Sequence, residues 1–235
     1  LKAVLAAEDD PAEPRRRRVA QEAAARDFLR RVEEAIKTVV EIRTDRPPSS
    51  GSRRASTTDA EARVMKMPDG GFRPGYNVQL AVAGSEDGGA RTIVGLRVTN
   101  LGSDMGSITP MLEDIERRTG EAPTVLLADA NHAKHDCIEA ATRDGVEVVM
   151  AVPRRAGPLE EASPEVVAWR ERMTTDEAKR LYRARAGLVE LLNAHLKARF
   201  GLDRVLVRGL PKVRCVVLLA GLGFNLLQHA DRLLA

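Results

Sequence analysis

Residues 75–100 read GYNVQLAVAGSEDGGARTIVGLRVTN, and their reading decides the fold. GYNVQLAVAG (75–84) and ARTIVGLRVTN (90–100) are rich in β-branched and apolar residues, and SEDGG between them is turn-forming. Such a pair predicts an antiparallel hairpin. Downstream the pattern changes period. SDMGSITPMLEDIERRTG (103–120) has helical spacing and ends at Gly120, and PTVLLADA (123–130) is a continuous apolar run of the kind buried on both faces of a sheet. A helix around His135–Arg143, a strand EVVMAVP (147–153) and a loop RRAGPLEEASPEVV (154–167) follow. A long helix is predicted between Thr174 and Phe200. DRVLVRG (203–209) reads as a short strand, and the apolar segment from Pro211 onward as a last helix with proline in its first turn. A hairpin followed by alternating helices and strands makes an α/β protein with a sheet of mixed direction.

Upstream of the hairpin the composition differs. Phe28, Val32, Ile36 and Val39 recur at helical steps, giving an amphipathic helix within residues 1–46 that needs a surface to pack on. RPPSSGSRRASTT (46–58) has nothing to bury and reads as a linker. The expected division is therefore a helical segment with linker over 1–58 and an α/β domain over 59–235.

The formal charge of +3 is unevenly spread. Residues 179–214 hold ten basic side chains against only Glu190 and Asp203, which suggests a polyanion tracked along one path. No apolar run was expected to reach the roughly 20 residues that cross a bilayer. Cys137 and Cys215 match no metal or redox spacing and fit buried, reduced thiols of a cytosolic protein. Thirty arginines to seven lysines, with much alanine, suits a GC-rich bacterial source.

Candidate chemistry centres on two acids. Asp129 ends the buried strand, where open α/β sheets place their sites, although an aspartate there also caps a turn. His132 and His135 could join it around a metal, but no fourth ligand accompanies them, and polar surface is the plainer reading. On the long helix, Tyr182, Arg183, Arg185, Glu190 and Lys197 recur at steps of three, four or seven. A carboxylate among cations is what an ion-pair surface face looks like, and equally what a phosphate-handling site looks like. Asp129 and Glu190 together would offer hard oxygen ligands suited to Mg²⁺ or Mn²⁺.

TTDAEARVMKMPDGGFRPGYNVQLAV (57–82) resembles the T-D-x-x-A-R-x-M-K…G-Y-N-x-Q segment of DDE-type bacterial insertion-sequence transposases. VTNLGSDMGSITPMLEDIERRTGEAPTVLLADA (98–130) is similar to the stretch leading to that family's second catalytic aspartate, here Asp129. SPEVVAWRERMTTDEAKRLYRARAGLVELLNAHLK (163–197) resembles its tyrosine–arginine–glutamate–lysine segment, here Tyr182, Arg185, Glu190 and Lys197. The resemblance implies an RNase H-like mixed sheet flanked by helices, with residues 1–58 as a helical insertion. It implies Asp129 and Glu190 as catalytic metal ligands for Mg²⁺ or Mn²⁺. Tyr182, Arg183, Arg185, Lys197 and Arg199 become DNA contacts. The implied partners are double-stranded DNA, at element ends and target, and further copies of the chain in a dimer, in a bacterial cytoplasm at the nucleoid.

The family's first catalytic aspartate lies on a central strand upstream of the helical insertion. The resemblance therefore places that strand before Leu1, and the chain alone is expected to have little activity. Two local departures stand out: AVAG where relatives carry an acid after AV, and His132 where they carry an aromatic. The rival functions are DNA binding without chemistry and an RNase H-like nuclease.

Overall fold

The computed structural model describes residues 15–45, 54–67, 69–84, 89–154 and 157–234. The predicted linker falls mostly outside them. Two compact units result, one running to Tyr76 with residues 208–210, the other comprising 77–207 and 211–235.

In the first unit, α1 (Arg15–Asp45) covers the predicted amphipathic segment. Exposed ion pairs such as Arg30 with Asp27 and Glu34 lace its polar side. Its apolar stripe is covered only in part, since Phe28, Ile36 and Val40 are exposed while Ala35 and Thr38 are buried. A hairpin follows that the periodicity did not predict, β1 (Arg63–Lys66) against β2 (Phe72–Gly75). Gly70 turns it at φ 85°, a left-handed value that glycine adopts without penalty. The motif residue Asp59 has a structural role here. It accepts hydrogen bonds from the Tyr76 hydroxyl at 2.9 Å and the Gly209 N–H at 2.9 Å, while Glu61 accepts from the Leu210 N–H. Burial, reinforced by the Asp59 carboxylate, pushes the Tyr76 phenol far above its ordinary value.

The second unit contains the α/β framework. β3 (Asn77–Ala83) and β4 (Thr92–Thr99) pair antiparallel as predicted, with a bulge between Ala81 and Val82. α2 (Ile108–Thr119) crosses β4 closely because Gly95 has no side chain: a Cβ there would come within 2.7 Å of the Met111 sulfur. β5 (Val125–Ala128), α3 (His135–Arg143) and β6 (Glu147–Met150) form a parallel β-α-β unit. α4 (Pro164–Arg172) lies where a loop was expected; Pro164 opens it rather than breaking it, and the Ser163 hydroxyl caps it. Its Trp169, the chain's only tryptophan, is buried with Ile138, Val148 and Met150 and donates its indole N–H to the Met150 carbonyl at 3.1 Å.

α5 (Asp176–Phe200) matches the predicted long helix, capped by Thr175 and stopped by Gly201 in the left-handed region. The strand expected over 203–209 does not form: turn and bend residues occupy the segment, and Leu206 is 94% exposed. α6 (Leu210–Gln228) and the short α7 (Ala230–Leu233) end the chain. α6 corrects two expectations. It is long and apolar enough to span a bilayer, although only 28% of that window is buried. It packs as a core helix on one side, burying Val213, Val217, Ala220 and Phe224, and Gly221 brings its backbone to Leu96. Cys137 is buried as expected, but Cys215 on α6 is exposed.

The outer edge of β4 is closed by side chains. Asn225 of α6 accepts the Ile93 N–H at 2.8 Å and donates to the Ile93 carbonyl at 2.9 Å, as a neighbouring strand would. Asp114 of α2 accepts the Leu96 N–H at 2.8 Å, and Arg117 and Arg118 neutralise it. Burial raises the Asp114 carboxyl, but these bonds outweigh it and hold the group below its ordinary value. A carboxyl depressed in the folded state contributes stability above its unfolded pKa and loses it as pH falls through the folded one. Asp114→Asn should cost about 2 kcal/mol at pH 7. Urea unfolding at pH 7 and pH 3 should show that gap closing in acid.

Candidate active site

A cavity of about 640 Å³ lies between β3 and β5. Every residue from Asn77 to Gly84 and from Val125 to Asp129 lines it, so it runs along the edges of both strands rather than over their faces. Among the described residues β3 pairs with β4 alone and β5 with β6 alone, which leaves both inner edges without a strand partner there. Ile108, Met111 and Ile115 of α2 and Leu181, Ala184 and Leu188 of α5 supply its apolar walls.

One end of this slot is polar. Asp129 reaches it from the end of β5, where its carboxylate also accepts the Asn131 N–H at 2.7 Å and caps a 3₁₀ turn over Ala130–His132. The capping role and the site position thus coexist. His132 accepts or donates at 2.6 Å with the Ser107 hydroxyl. Ser107 stands at the N-cap of α2 but makes no side-chain cap there.

Three lining residues lie in the stretches that carry the family resemblance, Asn77 and Gln79 in G-Y-N-x-Q and Asp104 within 98–130, but sequence alone assigned none of them a role. Asn77 and Gln79, two apart and so on one face of β3, both donate to Asp104 Oδ1, at 2.7 and 2.9 Å. Burial raises the Asp104 carboxyl, yet the two amides and the nearby His132 hold it below its ordinary value. Gln79 is only 9% exposed, and its Oε1 is buried without a hydrogen-bond partner. The polar alternation N-V-Q-L was the legible sign of this face; Asp104, in a loop, had none.

The predicted helix residues separate. Arg185 lines the slot with Asp129, its Nε buried and unpartnered, and its guanidinium stacks on Tyr182 at 5.4 Å. Tyr182 and Arg183 line a second cavity of about 560 Å³ with Asp176, Lys179 and Met173. Val189 and Asn193 face the slot, whereas Glu190, Lys197 and Arg199 are exposed and line neither cavity. Each residue turns a helix by about 100°, so Glu190 sits a quarter-turn past Val189. Among the described residues no three His, Cys, Asp or Glu side chains form a metal-holding group.

A polar strand-end site between an antiparallel hairpin and a β-α-β unit, with helices on both sides, is the arrangement of an RNase H-like domain. Residues 39–226 match the family model described as the transposase DDE domain, and the chain belongs to that family. Comparison with curated proteins and with solved structures returns no match.

Because Asp129 caps the 3₁₀ turn, Asp129→Ala should lower stability by about 1 kcal/mol, and Asp129→Asn by much less, since asparagine also caps. Chemical unfolding of the two variants measures the difference.

Proposed function

We propose that this domain performs metal-dependent DNA cleavage and strand transfer for an insertion sequence, acting on double-stranded DNA as a dimer at the bacterial nucleoid. The observation that carries the reading is the slot, which gathers Asp129 and Arg185, whose buried Nε has no hydrogen-bond partner, at a strand end. Asp129 and Glu190 are the proposed metal ligands, for Mg²⁺ or Mn²⁺. The donor set suits such an ion: carboxylate oxygens and the orphaned Gln79 Oε1 are hard oxygen ligands. A bound divalent ion would supply charge neutralisation and water activation for phosphoryl transfer.

Arg185 would hold a phosphate at the slot mouth, where its half-buried guanidinium suits a bidentate anion. Tyr182 would keep that guanidinium in place by stacking. Arg183, Lys197 and Arg199, exposed on α5, would follow the DNA backbone. Glu190 comes to Asp129 only if α5 turns about its axis or the ions and DNA draw it in. The slot itself has the form of a missing sheet position. We propose that one further strand, apolar on both faces and carrying a third carboxylate, fills it by pairing with β3 and β5, and that strand transfer is weak until it does.

A second reading, DNA binding without chemistry, draws on the exposed position of Glu190. Fluorescence anisotropy with short duplexes separates the two. Both readings expect affinity to fall steeply with salt, and Arg183→Ala or Lys197→Ala to reduce the log–log slope by about one. Only the enzyme reading expects Mg²⁺- or Mn²⁺-dependent cleavage that Asp129→Ala and Glu190→Ala abolish while binding persists. Strand transfer by the chain as it stands, at rates typical of intact relatives, would overturn the proposal of an unfilled slot.

A further inference from the structure

We infer that Asp104, held by Asn77 and Gln79, is a further carboxylate for the divalent ion at the Asp129 end of the slot, acting through the ion's water shell. The inference rests on the metal reading of Asp129 above and extends it to residues that the resemblance did not mark as ligands.

Asp104 spends a single oxygen on both amides, and Oδ2 has no hydrogen-bond partner among the described residues. Two donors from one strand face fix the carboxylate in one rotamer, so little side-chain freedom remains to be lost when a ligand arrives. Gln79 supplies the independent observation. Its amide N–H is committed to Asp104, which orients Oε1 as an acceptor, and that oxygen is buried and unpaired beside the cavity. A buried acceptor left unpaired is unfavourable, so the arrangement favours a donor-rich occupant. A hydrated cation is such an occupant: its waters donate hydrogen bonds, and its charge matches the two carboxylates.

Asp104, Asp129 and His132 do not form a group able to ligate an ion directly. Mg²⁺ is commonly held by one or two carboxylates while keeping several waters. Contact through those waters therefore suits Asp104 better than direct ligation. A bound polyamine or a lysine of another protein would also answer a carboxylate pair. Neither would compete for the site with Mn²⁺ in proportion to Mg²⁺ concentration.

The test is Mn²⁺ binding to the full chain, followed by electron paramagnetic resonance, with Mg²⁺ as competitor and stability measured separately by urea unfolding. Asp104→Asn and Asp129→Asn should each weaken Mn²⁺ binding by about tenfold, as loss of an outer-shell or ligating group does. Glu113→Gln, at an exposed position of α2 that does not line the slot, should leave it unchanged. Asn77→Ala and Gln79→Leu keep the Asp104 charge but release it, and should weaken binding by about threefold; they decide the matter if Asp104→Asn does not fold. Unchanged affinity in Asp104→Asn, or in both release variants, alongside a weakened Asp129→Asn overturns the role of Asp104 and leaves the metal reading of Asp129 standing. Unchanged affinity in Asp129→Asn overturns that metal reading, and with it the inference.

Discussion

Backbone hydrogen bonding at the strand edges is the constraint on which the second unit depends. Among its described residues four strands form two separate pairs, and a pair of strands always has two outer edges to satisfy. At β4 the chain solves this with side chains, Asn225 bonding both polar groups of Ile93 and Asp114 taking the Leu96 N–H. At β3 and β5 it does not, and the slot is the result. The helices α2 and α5 then wall the slot with apolar side chains, and the polar ends of β3 and β5 place amides and acids at one mouth. The fold and the site are therefore one arrangement.

Much of this was legible in sequence because it rests on local rules. The hairpin followed from two β-rich runs around SEDGG, and the long helix from a segment between Thr174 and Phe200 broken by no proline and by Gly187 alone. Asp129 could be placed because a polar residue ends an apolar strand. What was missed depends on neighbours distant in the chain. The 57–82 motif was recognised by resemblance, but nothing in its order revealed that Asp59 bonds Tyr76 and Gly209. A short β1–β2 hairpin has too few residues for a period to register. Pro158 and Pro164 suggested a loop, whereas Pro164 occupies the first turn of α4, where a missing N–H costs nothing.

The helix signature illustrates the limit of periodicity most clearly. Spacing shows which side chains share a stripe, not which stripe faces the sheet. Leu181, Ala184, Arg185 and Leu188 face the slot; Tyr182 and Arg183 border another cavity, and Glu190 is exposed. Family membership rests on the matched domain rather than on the placement of Glu190.

Asn225 has a consequence for the chain in concentrated solution. Sheets aggregate when an open edge recruits a strand from another molecule, and the outward edge of β4 is where a second copy could dock. A single amide occupying both hydrogen-bonding positions of Ile93 closes that route. The inner edges of β3 and β5 instead line the slot walled by α2 and α5.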